Sequence, residues 1–446
     1  MSIADNFKEM EKGFDFTQAL AEADRCLLCY DAPCSKGCPA ETEPGTFIRK
    51  LRFHNITGAI RTIKENNILG GACGVLCPTE KLCEKECAAT GIGEPIKIGK
   101  IQRFLVEHSW DLGFQVFDKP PARKEQVAVV GSGPSGLSCA AELARAGFGV
   151  TVFDEHPEPG GVLRYGVIPI RFDNSFLERE LEDLKVLGVK FVCNQRIEGR
   201  GGAEKLLEKG FRAVFLGPGL WEAHRLLPEA KEQPGVYSSV KYLEALRKGR
   251  FAELEKDFKG KTVAVIGGGS VAMDCVRSAA RLGASDVYLI YRRSYVQMPA
   301  EEDERIEALE EGIHFLLLNQ PLEYLTDGSK GLAGVKLVRT RLGKPDASGR
   351  RKPLAVEGSE WVLDVNLVIE AIGNRAVEDS PEWYPGLEVS EKKLIKTADQ
   401  TGKTAHPAIF AGGDIVRGPG LVVEAVQDGK LAARAIMETL SNEEES

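Results

Sequence analysis

Cysteine is concentrated near the start of the chain, in a pattern suited to binding iron. Of the 11 cysteines, eight lie between residues 26 and 87, in the runs C-x2-C-x4-C-x3-C-P and C-x3-C-P-x4-C-x3-C. Thiolates are soft ligands, and the first run approaches the C-x2-C-x2-C-x3-C-P spacing in which the last cysteine binds a second iron–sulfur cluster. The number of thiols equals the ligands that two 4Fe-4S clusters require. These residues are Cys26, Cys29, Cys34, Cys38, Cys73, Cys77, Cys83 and Cys87.

Zinc is the main alternative to iron at these cysteines, because C-x2-C followed by further cysteines also occurs in zinc ribbons. Ribbons pair two short knuckles, whereas the other gaps here include four, three and five residues, and nucleotide-binding motifs follow. Iron–sulfur clusters for electron transfer are therefore the favoured interpretation. A non-redox assembly protein with zinc knuckles is the rival from another functional class.

The first glycine-rich motif, G-S-G-P-S-G, begins at Gly131 after a short apolar run. In a strand–turn–helix unit, Gly131 permits the tight turn, Gly133 lets backbone amides approach a pyrophosphate, and Gly136 lets helix and strand pack closely. The start of the helix adds a partial positive charge. Asp154, at the end of the next apolar run, is placed to accept hydrogen bonds from ribose hydroxyls. This combination predicts a dinucleotide site.

A second motif, G-G-G-S-V-A, begins at Gly267 and has the G-x-G-x-x-A form. The position that matches Asp154 is Tyr291, and Arg292 and Arg293 follow it. Compared with the first motif, the second lacks the acid and has two guanidinium groups instead. This favours binding of a ribose 2′-phosphate, and so of NADPH over NADH. In the alternative interpretation the two arginines are solvated surface charges and the site does not discriminate.

Length and charge exclude several classes of protein. The chain has 446 residues, enough for about three domains. Its 66 acidic and 58 basic residues give a net charge of −8, which disfavours nucleic acid as a partner. No apolar run approaches the ~18 residues of a membrane span, so we expect a cytoplasmic protein without membrane attachment.

The periodicity of apolar residues shows which elements must position these motifs. The first ~120 residues have the three- and four-residue spacing of amphipathic helices. Residues 127–154 and 263–291 then repeat one strand–turn–helix–strand pattern, and the C-terminal IFAGGD segment is expected to return to the first copy. We predict an α/β fold with a helical N-terminal iron–sulfur domain and two Rossmann-like domains, the second inserted in the first. The predicted limits are 1–121, 122–236 with 373–446 for the first nucleotide domain, and 237–372 for the second.

The remaining cysteines and the histidines are not expected to react. Cys139 and Cys275 occupy equivalent positions in the two repeats, which favours helix packing, and Cys193 is likewise interpreted as buried. The six histidines form no triad or metal cluster. We therefore name no catalytic side chain.

Together these motifs resemble a known family over nearly the whole chain. RCLLCYDAPCSKGCPAETEPGTFIRKL, NNILGGACGVLCPTEKLCEKEC and PIKIGKIQRF, followed by the two nucleotide motifs and GGD, are similar to the flavoprotein subunits of bacterial dihydropyrimidine dehydrogenases. More distantly, they resemble the small subunits of glutamate synthase. The resemblance implies an FAD site on the first nucleotide unit and an NAD(P)H site on the second.

The resemblance also implies how the clusters are held. In the pyrimidine-reducing branch one cluster has four cysteine ligands, and the other has three cysteines and a glutamine. Cys73 is then not a ligand. Glutamate synthase subunits have a glutamate at the position of Gln102, which makes that residue the discriminator. The implied sets are Cys26, Cys29, Cys34 and Cys87 for the first cluster, and Cys38, Cys77, Cys83 and Gln102 for the second.

The family's nucleotide contacts transfer to this sequence in two groups. Pro299 stands where the animal dihydropyrimidine dehydrogenase, which shares this layout in its N-terminal half, has another phosphate-binding arginine, and this weakens the expectation of NADPH. The implied FAD contacts are Gly131, Ser132, Gly133, Pro134, Ser135, Asp154, Gly161, Val162, Arg171 and Asp414. The implied NAD(P)H contacts are Gly268, Gly269, Ser270, Val271, Arg292, Arg293, Ala371 and Gly373.

The resemblance implies an electron-input function. Hydride from NADPH or NADH would reach FAD and leave as single electrons through two 4Fe-4S clusters. Because the chain has no FMN-binding barrel, we expect a partner FMN/iron–sulfur subunit, in a hetero-oligomer, that reduces uracil or thymine to the 5,6-dihydropyrimidine. The alternative is a glutamate synthase small subunit or another NAD(P)H-to-ferredoxin flavoprotein.

Overall fold

The computed structural model describes residues 3–10, 12–227, 233–328, 331–345 and 349–444. The chain forms two compact units, each made of several segments. The first contains Met1–Lys8, Tyr165–Ile170 and Trp221–Arg375, and the second contains Glu9–Arg164, Arg171–Leu220 and Ala376–Ser446. No helix among the described residues is long and apolar enough to cross a membrane.

The N-terminal part of the second unit is helical, as the apolar spacing predicts. The first helix begins at a capping box, in which the Asp15 carboxylate accepts from the Gln18 amide and the Gln18 side chain accepts from the Asp15 amide. The amphipathic third and sixth helices turn apolar faces to the core, with Phe47 and Leu105 fully buried. The helices are α1 (Phe16–Asp24), α2 (Pro33–Lys36), α3 (Pro44–Arg52), α4 (Ile56–Asn66), α5 (Gly70–Leu76) and α6 (Ile98–Asp111).

A parallel nucleotide-binding sheet begins directly after this helical part. After an exposed Gln126, the first strand continues with four apolar residues, mostly β-branched, that are all buried, as a central parallel strand requires. The elements are β1 (Gln126–Val130), α7 (Pro134–Arg145), β2 (Gly149–Phe153), α8 (Gly161–Tyr165), α9 (Asn174–Val186), β3 (Lys190–Val192), α10 (Glu204–Glu208) and β4 (Ala213–Leu216).

The first unit contains the second nucleotide-binding sheet and additional strands. The main sheet is parallel, with strand order β6-β13-β7-β8-β9; β10-β11-β12 form an antiparallel sheet and β14 pairs with β5. The elements are β5 (Glu222–Ala223), β6 (Val236–Ser238), α11 (Ser239–Arg247), α12 (Phe251–Phe258), β7 (Thr262–Ile266), α13 (Ser270–Arg281), β8 (Asp286–Tyr291), α14 (Glu302–Glu310), β9 (His314–Leu317), β10 (Asn319–Thr326), β11 (Leu332–Pro345), β12 (Arg351–Asp364), β13 (Leu367–Glu370) and β14 (Asn374–Arg375).

The end of the chain returns to the first sheet. Strand β15 pairs in parallel with β4, which gives the order β15-β4-β1-β2-β3 in the second unit. The second nucleotide-binding sheet is therefore inserted in the sequence of the first, as predicted. The last elements are α15 (Ser380–Trp383), β15 (Ile409–Ala411), α16 (Asp414–Arg417) and α17 (Val422–Glu444).

Helix α17 connects the nucleotide-binding sheet to the helical part of the second unit. A Cβ on Gly429 would collide with the Ser135 carbonyl oxygen, so only glycine allows α17 to approach α7 this closely. On another face of α17, the buried Lys430 ammonium donates to the carbonyl oxygens of Ala40 and Asn66 at 2.7 and 2.8 Å. These contacts fix α17 against both parts of the unit.

Candidate functional site

The four cysteines assigned to the first cluster surround one cavity. Cys26, Cys29, Cys34 and Cys87 line it together with apolar residues of α3 and of the segment before α6. Arginine side chains of α3 hold the adjoining loop, since Arg49 donates to the Cys29 carbonyl oxygen and Arg52 to that of Cys26. Burial raises the pKa of the Cys34 thiol to about 12. Iron would replace these protons, because only the thiolate binds metal.

The second predicted ligand set surrounds a separate cavity. Cys38, Cys77, Cys83 and Gln102 all line it. The Gln102 side chain is 6% exposed, and its amide nitrogen donates to the Gly70 carbonyl oxygen. That bond orients the amide and leaves its oxygen as the atom that can bind iron. The donor set thus fits a cluster with three thiolates and one amide oxygen.

Cys73 lies closer to this second cavity than the family pattern implies. Cys73, on α5, lines the cavity with Cys77, the residue that follows α5, and its thiol is hydrogen-bonded to both Cys77 and Asn67. Sequence spacing places Cys73 among eight possible ligands, whereas the resemblance excludes it. With Cys38, Cys77, Cys83 and Gln102 as the predicted ligands, the Cys73 thiol is a fifth possible donor at the second cavity.

The two cavities share short stretches of chain. Cys34 and Cys38 flank the end of α2, and each lines a different cavity; Cys83 and Cys87 do the same in the second run. Each pair is four residues apart, so the two cavities lie beside one another. Among the residues that the structure describes, no three His, Cys, Asp or Glu side chains are grouped to hold a single metal ion.

The first glycine motif forms a turn with an open side. Gly131 has φ +94°, and a Cβ there would collide with the Gly217 carbonyl oxygen. A Cβ on Gly136 would collide with the Gly131 carbonyl oxygen, so both positions require glycine. At Gly133, by contrast, a Cβ would meet nothing within 4 Å. This free space, in the turn that starts α7 with Pro134 and Ser135, fits the approach of a pyrophosphate.

Asp154 is the centre of a buried hydrogen-bond network beside that turn. Its carboxylate accepts from the Ser132 amide at 2.8 Å, from the Ser132 hydroxyl, and from the His156 amide at 2.9 Å; the His156 ring lies 3.2 Å away. Burial raises the pKa of Asp154, but the hydrogen bonds from His156 and Ser132 outweigh it and lower the pKa below its usual value. The aspartate is therefore an ionised acceptor. Sequence patterns did not indicate the contact with His156.

The loop before α8 lies against the same turn. The Gly160 amide donates to the Ser132 hydroxyl at 3.0 Å, and a Cβ on Gly161 would lie 2.6 Å from Gly133 Cα. Val162 is 44% exposed. Arg171 is half-buried in the segment before α9. The structure therefore brings Gly161 to the predicted FAD site.

The GGD loop is held by an aspartate that sequence patterns did not indicate. Asp414 is the first residue of α16, and burial raises its pKa to about 6. The preceding amide, that of Gly413, donates to Asp428 of α17 at 2.8 Å. Arg417 forms two hydrogen bonds to the same carboxylate. Asp428 thereby fixes both sides of Asp414.

The second glycine motif has the same construction in the first unit. Gly267 has φ +148°, and a Cβ on it would collide with the Ala371 carbonyl oxygen, so the Ala371 turn lies against the motif. A Cβ on Gly268 would meet the Tyr291 ring at 2.6 Å. Gly269 has nothing within 4 Å of a Cβ, and it precedes Ser270 and Val271 at the start of α13. Gly269 is therefore the open position of this turn.

The two predicted phosphate-binding arginines are in different environments. Arg292 is exposed. Arg293 is 7% exposed, and its Nε donates to the Arg351 carbonyl oxygen at 2.9 Å. Arg292 is thus the arginine placed to meet a 2′-phosphate from solvent, and Arg293 also joins β8 to β12.

The turn after β13 is fixed by a buried carboxylate. The Gly373 carbonyl oxygen accepts from the His224 amide at 2.9 Å. Glu370 is 1% exposed and accepts from Arg225 at 2.9 Å and from the Tyr324 hydroxyl at 2.7 Å. This network orients the strand end that leads into Ala371 and Gly373.

The three cysteines outside the N-terminal runs differ in how far they are buried. Cys139 and Cys275 are fully buried, as predicted. The expectation that Cys193 is buried is wrong, because its side chain is half-exposed just after the edge strand β3.

Comparison with known proteins identifies two matching families. Residues 3–113 match the family described as dihydropyrimidine dehydrogenase domain II, 4Fe-4S cluster, and residues 125–429 match that described as pyridine nucleotide-disulphide oxidoreductase. The glutamate synthase (NADPH) small chain of Escherichia coli strain K12 is 36% identical over 447 residues, covering 97% of this chain and 94% of that protein. The NAD-dependent dihydropyrimidine dehydrogenase subunit PreT of the same strain is 34% identical over 429 residues, covering 96% of each.

Solved structures share the fold of the nucleotide-binding part. Mycobacterium tuberculosis FprA in complex with NADPH has a TM-score of 0.61 at 21% identity, covering 72% of this chain and 86% of that one. Lactococcus lactis thioredoxin reductase has a TM-score of 0.54 at 21% identity, covering 72% and 100%. The predicted fold class, an iron–sulfur domain followed by two Rossmann-like domains, is confirmed.

Proposed function

The chain belongs to the pyridine nucleotide-disulphide oxidoreductase family and is an NAD(P)H-dependent flavin and iron–sulfur oxidoreductase; from this premise we propose that it is the electron-input subunit of a dihydropyrimidine dehydrogenase. It would oxidise NAD(P)H through FAD and two 4Fe-4S clusters. A partner FMN/iron–sulfur subunit in the same hetero-oligomer would reduce uracil or thymine to the 5,6-dihydropyrimidine.

The position of α17 carries the proposal of electron input. This helix starts shortly after the GGD loop, and its Asp428 holds that loop. At the start of the same helix, its second residue, Val423, lines the second cysteine cavity. The proposed flavin site and the proposed second cluster therefore adjoin a single rigid element, as transfer of electrons between them requires.

Each group of residues has a defined part in this proposal. When bound, FAD converts a hydride donor into a source of single electrons, and the clusters accept them one at a time. Backbone amides at Gly133 and Gly269 receive the two pyrophosphates, and Asp154 accepts from ribose. The shared stretches of α2 and of the second cysteine run keep the two clusters adjacent. Positioning rather than acid–base catalysis is the contribution of the protein.

Gln102 supports the pyrimidine-reducing branch of the superfamily. It stands in the second cavity with its amide oxygen available to iron, at the position where the glutamate synthase subunits have a glutamate. The alternative, a glutamate synthase small subunit or another NAD(P)H-to-ferredoxin flavoprotein, is supported by the 36% identity to the Escherichia coli glutamate synthase small chain.

Reconstitution with each candidate partner tests the proposal. The anaerobically purified protein is first assayed for reduction of an artificial acceptor by NADPH and by NADH, and for flavin, iron and sulfide content. It is then combined with an FMN/iron–sulfur barrel subunit and uracil, or with a glutamine-dependent amidotransferase subunit, glutamine and 2-oxoglutarate. Dihydrouracil formation supports the proposal. Activity with the artificial acceptor but none toward uracil would refute the pyrimidine assignment.

A further inference from the structure

The loop end of the hairpin formed by β11 and β12 carries a local positive charge that the net charge of the chain conceals. Residues 337–356 contain six Arg or Lys and one acid, Asp346, in a chain of net charge −8. Asp346 lies outside the described residues. All six cations are exposed, and we call this part of the chain the cationic hairpin. They are Arg339, Arg341, Lys344, Arg350, Arg351 and Lys352.

The cationic hairpin is bonded to the two arginines of the second nucleotide motif. The Thr340 hydroxyl donates to the Arg292 carbonyl oxygen at 2.8 Å, and Arg293 Nε donates to the Arg351 carbonyl oxygen at 2.9 Å. Both strands of the hairpin therefore contact the end of β8. Arg341 follows Thr340 directly in the chain.

Several of these cations are not neutralised by a neighbouring carboxylate among the residues that the structure describes. Arg351 is used structurally, because its guanidinium donates to the carbonyl oxygens of Leu342 and Gly343 across the hairpin. Within the described parts of the chain, Arg341, Lys344 and Lys352 form no ion pair with a carboxylate. Their field is therefore not cancelled locally.

We propose that the cationic hairpin attracts and selects a dinucleotide that carries a ribose 2′-phosphate. The proposal rests on the proposed nucleotide site at Gly269 and Arg292. At about 3.3 Å per strand residue, Arg341 and Lys344 lie within ~15 Å of the Thr340 contact, comparable to the ~10 Å Debye length at 0.1 M salt. The 2′-phosphate adds charge of about −2 to the ligand, so the field acts more strongly on NADP than on NAD.

The test compares two triple variants of the flavin- and iron-loaded protein. The first removes charge from the hairpin with Arg341→Gln, Lys344→Gln and Lys352→Gln. The control removes the same charge from exposed positions elsewhere in the same unit, and consists of Lys241→Gln, Lys256→Gln and Lys261→Gln. Titration calorimetry gives the Kd of NADP+ and of NAD+ at low and at high salt, without dependence on turnover.

The expected result is selective and depends on salt. At low salt the hairpin variant binds NADP+ roughly five- to tenfold more weakly, and NAD+ less than about twofold more weakly. At about 1 M salt, where the Debye length is ~3 Å, the difference from the native protein disappears. The control variant binds both dinucleotides as the native protein does.

Three outcomes would overturn the proposal, and they are distinguishable from failure of the proposed function. An unchanged NADP+/NAD+ ratio in the hairpin variant refutes it while leaving the nucleotide site intact. An equal loss in the control variant assigns the effect to net charge. Normal NADP+ binding with impaired electron delivery to a partner subunit makes the hairpin a protein contact instead. If the native protein binds neither dinucleotide, the proposed function itself fails.

Discussion

The substitution Gly269→Ala should weaken binding of the nicotinamide dinucleotide while leaving folding stability and flavin, iron and sulfide content unchanged. Gly269 has φ −97° and ψ 177°, extended backbone that alanine adopts freely, and a Cβ there meets nothing within 4 Å. The free energy of unfolding should therefore change by less than about 1 kcal/mol. The new methyl group projects into the space in which we place the pyrophosphate.

The loss of binding free energy caused by this methyl group can be estimated from the known cost of adding a carbon to a packed site. Overpacking by a methyl group costs typically 1–3 kcal/mol. At ~1.4 kcal/mol per tenfold change, the Kd of NADP+ and of NAD+ should rise by about 5- to 150-fold. The Kd should rise by the same factor for NADP+ and for NAD+, because both contain the pyrophosphate. Flavin, iron and sulfide content stay at native values.

The matching substitution in the first turn is the control. Gly133 also has ordinary backbone angles and open space, so Gly133→Ala should reduce flavin content and leave iron content intact. Gly136→Ala should instead prevent folding, because its Cβ would collide with the Gly131 carbonyl oxygen. Native dinucleotide affinity in a folded, flavin-loaded Gly269→Ala protein would refute the placement of the pyrophosphate.

Three further predictions concern the clusters, a buried ion pair and pH. Gln102→Ala should lower iron content from about eight to about four per chain, whereas Gln102→Glu should retain iron; equal iron in native and alanine proteins would show that this side chain is not a ligand. Lys64→Met should cost ~3–5 kcal/mol in denaturant unfolding, because it leaves Asp183, at 2.8 Å and 9% exposed, charged and unpaired; adding Asp183→Leu should recover most of the loss, and no recovery would contradict the pairing. Because burial raises the pKa of Asp414 to about 6, its contribution to folding is present below pH ~4 and lost as pH rises through about 6. Flavin-free native protein should therefore lose thermal stability relative to Asp414→Asn over that range, and parallel melting curves would contradict it.

Local requirements made the two glycine turns predictable. The positive φ at Gly131 and Gly267 and the contact of Gly136 with the Gly131 carbonyl oxygen belong to the turn itself, so the six-residue pattern suffices to locate each turn, although the packing of Gly217 and Ala371 against these turns is not part of the pattern. The helical and parallel-strand segments were predictable for a similar reason, since their apolar periodicity is local. The domain limits stay a prediction.

Contacts between distant segments were not predictable from the sequence alone. Spacing could not tell that Gln102 shares a cavity with Cys38, which was expected only from the family resemblance, or that Cys73 lines the same cavity. The Thr340 contact with Arg292 joins residues 48 positions apart, and the Lys430 contact with Ala40 joins residues 390 positions apart. The spacing of apolar residues along the chain does not reveal such pairs, because each pair depends on how helices and strands pack once they have formed.

The position of Val423 in the wall of the second cavity has a consequence for biosynthesis. Roughly 340 residues separate Val423 from Cys87, the last cysteine of the cluster region. At ~5–20 residues per second, the ribosome needs on the order of 20–70 s to make them. During that time the cysteines have emerged, but the cavity lacks one wall. If a cluster binds here as we propose, we expect its insertion to be completed only after the last helix has been synthesised and has docked, and a chain cut short before α17 would hold thiols but no closed second site.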